Sequence, residues 1–80
     1  MNPDDIKNLI RAGLSCTHLE LDGDGQHFQA IVVSTEFAGM SRVQRQQRVM
    51  QTVRPQLESG ELHALSFKTL TPDEWNAQRG

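Results

Sequence analysis

The stretch HALSFKTLTPDEW, residues 63–75, decides the fold, because a strand and the start of a helix follow each other there without a loop. Its first half alternates between apolar and polar residues, which is typical of a strand with one buried face. Thr71 is a favourable N-cap, a proline follows it, and Glu74 completes a capping box. Leu70 and Trp75 occupy the two positions of a hydrophobic staple around that cap. The stretch therefore predicts a strand that leads directly into a helix.

A helix is also predicted near the N-terminus. Asn2 is a favourable N-cap, and Pro3 and two aspartates follow it at positions that suit the first helical turn. Gly13 is placed to end this helix. Apolar residues recur between these limits at helical spacing, at Ile6, Leu9 and Ile10.

The middle of the chain carries the signals of a β-hairpin. Residues 17–21 alternate between polar and apolar side chains, as in a half-buried strand. Residues 27–34 are more continuously apolar and are predicted to form a central strand. The sequence DGDG between them, residues 22–25, has the composition of a turn. The first two strands are therefore expected to be antiparallel neighbours.

A second helix is predicted to begin at Ser41, which forms a capping box with Gln44. Pro55 is expected to end or kink this helix, because proline lacks the N–H donor that a helix interior needs. Gly60 is expected to close the segment. The predicted apolar stripe consists of Val43, Val49, Met50 and Val53.

The order of these elements is helix, strand, strand, helix, strand, helix. The connection from the second strand to the third spans a whole helix, which suits a right-handed crossover between parallel strands. The predicted fold class is therefore α+β, with a small three-stranded mixed sheet, residues 27–34 in its middle strand, and the helices on one face. The length of 80 residues suits a single domain.

Composition argues against several classes of protein. The formal net charge of −2 provides no general attraction to nucleic acid or anionic membranes. No apolar run approaches the roughly 18 residues of a membrane helix, and the first residues lack the pattern of a signal peptide. The one cysteine, Cys16, cannot form an internal disulfide, and no Ser/His/Asp set or HExxH motif is recognisable. We therefore expect a soluble cytoplasmic protein that is not an enzyme.

Several of these segments resemble the BolA/IbaG family. The C-terminal stretch is similar to the family signature, in which a histidine, here His63, opens the last strand and the motif T-P-x-E-W follows. The middle block of the family is resembled by HF at 27–28, VVS at 32–34 and F-x-G at 37–39. The segments GMSRV at 39–43 and QQ at 46–47 are most similar to the IbaG branch. The class II KH-like fold that this resemblance implies has the element order predicted above.

The resemblance implies a function in the handling of iron–sulfur clusters. It implies a monothiol glutaredoxin as the partner and a two-iron two-sulfur cluster that the two proteins share. A glutaredoxin cysteine and glutathione would be the ligands on one side of the cluster. His63, alone or together with His27, would bind it on the other side. The isolated chain is then expected to hold no cluster and to be a monomer or a weak dimer.

Two features depart from the pattern of many family members. Those proteins carry an Arg-His pair in the second helix, where this chain has Arg45 and Gln46. They also have a longer hairpin loop with a cysteine or histidine that helps to bind the cluster, whereas residues 22–26 contain neither. The identity of the second cluster ligand in this chain therefore stays open.

The predicted topology brings two of the histidines together. Parallel neighbours begin at the same edge of a sheet, about 4.8 Å apart, and His27 and His63 begin two such strands. Imidazole suits iron and zinc, so the pair is a candidate metal site, although each could be an ordinary strand-end histidine. Cys16 is expected at the opposite end of the sheet, roughly 20 Å away, as a half-buried structural thiol. His18 is expected to be an ordinary exposed strand residue.

An alternative function follows from the second helix. Four arginines lie on it without an acidic residue among them: Arg42, Arg45, Arg48 and Arg54. Such a stripe could follow phosphates, form a solvated face or dock an acidic partner. The resemblance also permits nucleic-acid binding, since BolA proteins are linked to transcription. The chain has no G-x-x-G loop and few aromatic residues, so we expect any binding of nucleic acid to be weak.

Overall fold

The computed structural model describes residues 1–23 and 27–79. The elements follow the predicted order: α1 Pro3–Gly13, β1 His18–Gly23, β2 His27–Val33, a 3-10 turn Thr35–Phe37, α2 Arg42–Ser59, β3 Ala64–Leu70 and α3 Pro72–Arg79. β1 includes the first half of the predicted turn, and the second half of that turn lies outside the described residues. The α+β fold class is confirmed. No helix in the described part of the chain is long and apolar enough to cross a membrane.

The sheet has the predicted topology, with β2 in the middle. β1 pairs with β2 in the antiparallel sense, beginning with His18 opposite Val33. β3 pairs with β2 in the parallel sense, beginning with Ala64 opposite His27. The starts of β2 and β3 therefore share one end of the sheet, and the start of β1 lies at the other end.

Two helices and one face of the sheet enclose the hydrophobic core. α1 contributes Ile6 and Ile10, and α2 contributes Val49 and Val53, all of them fully buried. The predicted apolar faces of both helices are confirmed at these positions. The strands contribute Leu19, Phe28, Ala30, Val32 and Phe67 to the same core.

Gly13 ends α1 as predicted, but its backbone is not in the left-handed conformation. Among the described residues, Gly39 and Gly60 are the ones with a positive φ. A Cβ atom at position 13 would lie 2.9 Å from Cγ2 of Thr52 in α2. The absence of a side chain therefore allows the last turn of α1 to approach α2 closely.

α2 continues through Pro55 to its last turn, so of the two predicted effects of this proline, the end of the helix was wrong, and the kink stays a prediction. Leu57 lies beyond the proline and packs against the core, and the backbone N–H of Leu62 donates to the carbonyl of Gln56 (3.0 Å). These contacts hold the last turn although the proline removes one helical hydrogen bond. Gly60 then ends the helix with φ 84°, as predicted.

Val43 is 65% exposed, so its predicted place in the apolar stripe was wrong. At 3.6 residues per turn it lies roughly 100° around the helix from the midpoint of the buried Val49 and Val53. In its first turns α2 instead directs Arg45 and Gln46 to backbone carbonyls of β3. Polar contacts therefore attach this end of the helix to the sheet.

α3 is placed differently from α1 and α2. Val33 and Leu70 pair across the sheet and alternate with core residues, so they belong to the outer face, which is the face opposite α1 and α2. Both are nevertheless buried. Trp75 of α3 stacks on His18, which lies opposite Val33. The prediction of helices on one face therefore holds for α1 and α2 and is corrected for α3, which covers one end of the outer face.

Candidate functional site

The starts of β2 and β3 form an end of the sheet that carries two histidines. His27 is the first residue of β2 and lies opposite Ala64, the first residue of β3. His63 immediately precedes Ala64, and both histidines are exposed. The predicted placement of the two histidines at one end of the sheet is confirmed, and we call this end the histidine rim. Their role as metal ligands stays a prediction.

The two histidines are diagonal neighbours. Because Ala64 rather than His63 lies opposite His27, the two are separated by one strand spacing and one residue along the strand. This corresponds to roughly 6 Å between their Cα atoms. Both positions therefore lie at the end of the sheet, where a partner protein could present a metal centre.

The histidine rim has too few donors for a complete cluster site. Within residues 1–23 and 27–79, no group of three or more histidine, cysteine, aspartate or glutamate side chains is placed to hold a metal ion. A two-iron two-sulfur cluster ordinarily takes four ligands. His27 and His63 could therefore supply at most two of these four ligands.

Cys16 lies at the opposite end of the sheet from the histidine rim, as predicted. The backbone N–H of the adjacent Thr17 donates to the carbonyl of Val33, the last residue of β2 (2.8 Å). The length of β2, about 20 Å, separates this point from the rim. Burial raises the pKa of this thiol, an effect that Arg11 opposes and Glu36 reinforces. A thiol kept protonated is a poor metal ligand. Both the position of Cys16 and its raised pKa therefore argue against a role as a ligand at the histidine rim.

His18 has contacts that its sequence context did not indicate, and it is half-buried in β1 rather than exposed as expected. Its ring stacks on Trp75 with the centroids 4.7 Å apart and 21° between the planes. Its Nε2 lies 2.6 Å from a carboxylate oxygen of Glu20 on the same strand. The guanidinium of Arg79 lies over the same indole, 5.6 Å from its centroid. No local pattern signals this cluster, because its members come from opposite ends of the chain.

Arg45 is bound within the protein, although the sequence made it a candidate for nucleic-acid contact. Its Nη1 and Nη2 donate to the two carboxylate oxygens of Glu74 at 2.7 and 3.4 Å. It also donates to the backbone carbonyls of Met40 (3.2 Å) and Thr69 (3.5 Å). Two hydrogen bonds lower the pKa of Glu74. The bond from the side chain of Arg45 has the larger effect, and the bond from the backbone N–H of Thr71 has the smaller one. Arg45 therefore ties the starts of α2 and α3 to the end of β3.

Arg48 is also engaged within the protein. Its Nη2 donates to the carbonyl of Gly13 (2.7 Å) and to a carboxylate oxygen of Glu36 (3.2 Å). Arg42 and Arg54 are exposed. Two of the four arginines of this helix are thus paired with acids from other elements, and α2 does not present a continuous stripe of unpaired cations.

Comparison with known proteins places the chain in a family. Residues 10–74 match the sequence model described as BolA-like protein. The chain belongs to this family. The acid stress protein IbaG of Escherichia coli is 38% identical to this BolA-like chain over 79 residues, which span 99% of the chain and 94% of that protein. The DNA-binding transcriptional regulator BolA of Haemophilus influenzae is 39% identical over 56 residues, which span 70% of the chain and 53% of that protein.

Solved structures of BolA-like proteins share the fold. A bol-like protein from Babesia bovis superposes with a TM-score of 0.85 at 27% sequence identity, over 100% of this chain and 95% of that one. A BolA homologue from Coxiella burnetii superposes with a TM-score of 0.80 at 38% identity, over 95% of this chain and 97% of that one. The arrangement of sheet and helices in this BolA-like chain is therefore that of its family.

Proposed function

We propose that this BolA-like chain is a non-enzymatic cytoplasmic adaptor in iron–sulfur cluster assembly and trafficking. Its partner would be a monothiol glutaredoxin, with which it shares a two-iron two-sulfur cluster as cargo. His63, alone or together with His27, would bind the cluster on one side. A cysteine of the glutaredoxin and glutathione would bind it on the other side.

The observation that supports this proposal is the exposed histidine rim. The pairing of β2 with β3 keeps His27 opposite Ala64, so the backbone positions of His27 and His63 are neighbours at one end of the sheet. Imidazole is a suitable ligand for iron, and replacing thiolate ligands by imidazole raises the reduction potential of a two-iron cluster. Imidazole must also be neutral to bind a metal, so protons compete with the cluster on this side. Such ligation favours a cluster that can be passed on.

The test is to mix the protein with a monothiol glutaredoxin, iron, sulfide and glutathione, and to record visible absorption and circular dichroism. We expect a mixed complex whose dichroism differs from that of the cluster on glutaredoxin alone. The same protein without glutaredoxin should remain colourless even when it is prepared anaerobically. A stable brown isolated protein with stoichiometric iron would contradict the shared-cluster proposal.

Nucleic-acid binding by a transcriptional regulator is the second candidate function. The observation in its favour is the relative from Haemophilus influenzae that is described as a DNA-binding transcriptional regulator. The ion pairs of Arg45 and Arg48 leave Arg42 and Arg54 as the exposed cations of α2. Two exposed cations support only a weak, salt-sensitive attraction to phosphates, so we rank this function below the cluster adaptor.

A further inference from the structure

A groove lies where the free edge of β3 meets the first turns of α2 and α3, at the end of β3 far from the histidine rim. We call it the β3 groove, and its volume is about 490 Å³. The side chains and backbone that matter for its chemistry belong to Met40, Arg42, Arg45, Lys68, Thr69 and Glu74. The groove is open to solvent and is separate from the proposed cluster site.

The backbone of β3 directs alternate residues toward this free edge. The backbone carbonyl of Leu70 accepts a hydrogen bond from the backbone N–H of Ser34, which follows β2. The even-numbered residues of β3 therefore direct their backbone N–H and C=O groups toward β2. Phe67 and Thr69 therefore turn their N–H and C=O groups to the free edge. Their carbonyls accept hydrogen bonds from α2, from Gln46 at 2.9 Å and from Arg45 at 3.5 Å respectively. The N–H groups of Phe67 and Thr69 lie on this free edge as well.

The acceptors around the β3 groove are satisfied from within the protein. The carboxylate of Glu74 receives two hydrogen bonds from Arg45 and one from the backbone of Thr71. The carbonyl of Met40 also accepts from Arg45. A ligand that offers only donors would have to displace these bonds. The groove therefore favours a ligand that brings acceptors.

Two cationic side chains in the β3 groove are not engaged in interactions of this kind. In the described part of the chain, neither Arg42 nor Lys68 forms an ion pair or a side-chain hydrogen bond, and both are exposed. The same two residues line the neighbouring hollow on the outer face of the sheet. They stand at the ridge between the two concavities, where one anionic group can approach both.

The surroundings of this cation pair include apolar surface. Met40 is half-buried in the groove wall, and Val43, which follows Arg42, is 65% exposed. Glu74 stands in the same wall, and Glu20 and Asp22 line the far side of the outer-face hollow. A polyphosphate backbone would meet these carboxylates within a few nucleotides, whereas a peptide can alternate acidic and apolar side chains.

We propose that the β3 groove is a docking site for an acidic, extended segment of a partner protein. A carboxylate side chain of that segment binds between Arg42 and Lys68, and a neighbouring apolar side chain contacts Met40. Lys68 lies five positions after His63, which is about 16 Å along the strand. The groove can therefore be occupied while the histidine rim engages another protein, and this proposal does not depend on the proposed cluster function.

The test is a fluorescence-anisotropy titration with a fluorescein-labelled peptide, Gly-Glu-Leu-Asp-Glu-Leu-Asp-Gly, at low ionic strength. We expect the double variant Arg42→Gln/Lys68→Gln to bind this peptide about tenfold more weakly, since each exposed ion pair is worth a few-fold in affinity. The matched control Arg54→Gln removes one exposed cation elsewhere on α2 and should bind within about twofold of wild type. His63→Ala should also bind as wild type, and far-ultraviolet dichroism verifies folding.

Three outcomes would overturn the proposal. The first is that Arg54→Gln weakens binding of the acidic peptide as much as the double variant does, which would reveal only a general effect of charge. The second is binding of the amide peptide Gly-Gln-Leu-Asn-Gln-Leu-Asn-Gly as tightly as the acidic one, or stronger competition from a single-stranded oligonucleotide of equal charge. The third is a dimer in sedimentation that dissociates in the double variant, which would make a second copy of the chain the occupant.

Discussion

Trp75 in α3 stacks on His18 at the start of β1, with the ring centroids 4.7 Å apart and 21° between the ring planes. This contact joins the last helix to the first strand across the outer face of the sheet. Val33 lies opposite His18 and is fully buried although it faces away from the core helices. The stack therefore attaches α3 to the outer face of the sheet.

Replacing Trp75 by alanine should destabilise the protein. Truncating a fully packed tryptophan typically costs about 3–5 kcal/mol, and we expect about 1–3 kcal/mol here because Trp75 is only half-buried. In a domain of this size the loss corresponds to a fall in Tm on the order of 10 °C. Thermal and urea unfolding followed by circular dichroism measure it, with Trp75→Phe as the control that keeps an aromatic ring. An unchanged Tm together with lost partner binding would make Trp75 an interface residue instead.

His18 and Trp75 should also show energetic coupling. Stacked aromatic pairs are worth roughly 0.5–1.5 kcal/mol beyond the area they bury. A double-mutant cycle with His18→Ala, Trp75→Ala and the double variant should therefore give a coupling of this size in the free energy of unfolding. The pair Glu61→Ala and Trp75→Ala provides a control cycle, because Glu61 lies near the opposite end of the sheet. Coupling of zero between His18 and Trp75 would mean that the stack contributes nothing to stability.

The ion pair of Glu74 with Arg45 predicts a pH dependence of stability. The pKa of Glu74 is lowered in the folded protein, so this carboxylate stabilises the fold above the ordinary pKa of glutamate. The contribution is lost as the pH falls through the lowered folded pKa. Wild type should therefore be more stable than Glu74→Gln at pH values near 7, and the difference should narrow in acid. Urea unfolding at both pH values measures it, and a difference that stays constant between them would contradict the assignment.

Asp73→Asn is the matched control for this measurement. Asp73 lies beside Glu74 in the first turn of α3 and is exposed. Within residues 1–23 and 27–79 it forms none of the ion pairs that hold Glu74. Its replacement should therefore change the stability of the protein less than Glu74→Gln does at neutral pH.

The sequence predicted features whose causes are local. Both predicted capping boxes, at Ser41 and at Thr71, are present, because a cap is satisfied by residues three positions away. The strand order followed from the same kind of signal, since a turn composition favours a hairpin and a helical connection favours a parallel pair. The relation of His27 to His63 then followed from strand order alone.

The features that the sequence did not predict depend on contacts between distant segments. Arg45 looked like a free cation because Glu74, its partner, lies in the last helix. Pro55 stays inside α2 because the turn beyond it packs against the core. α3 lies against the outer face because Trp75 meets His18 there. Spacing along one element carries no information about these contacts.

Any binding of DNA should be weak and should disappear with added salt. The protein has a net charge of −2, and its exposed arginines on α2 are Arg42 and Arg54. About two phosphate contacts would give a slope near −2 in a plot of the logarithm of affinity against the logarithm of salt concentration. Electrophoretic mobility shifts at several salt concentrations measure this, with Arg42→Gln and Arg54→Gln as variants that leave the Arg45 ion pair intact. Sequence-selective, sub-micromolar binding in physiological salt would favour the regulator function instead.

The proposed cluster function predicts an order of effects on the cluster that this chain would share with a monothiol glutaredoxin. His63→Ala should change the spectrum most, because a histidine–iron contact is lost, and His27→Ala should have a smaller or similar effect. Cys16→Ser should have none, because a sulfur about 20 Å from the rim cannot bind the same cluster. All three variants should fold, since His27 and His63 are exposed and serine is close to cysteine in size. Far-ultraviolet dichroism is the control for folding.

The most direct measurement of the central claim is the visible circular dichroism of the reconstituted complex with glutaredoxin, compared between wild type, His63→Ala and Cys16→Ser. We expect an altered spectrum for His63→Ala and a spectrum that matches wild type for Cys16→Ser. A wild-type spectrum for His63→Ala, or loss of the cluster in Cys16→Ser alone, would contradict the assignment of the histidine rim as the cluster-binding site.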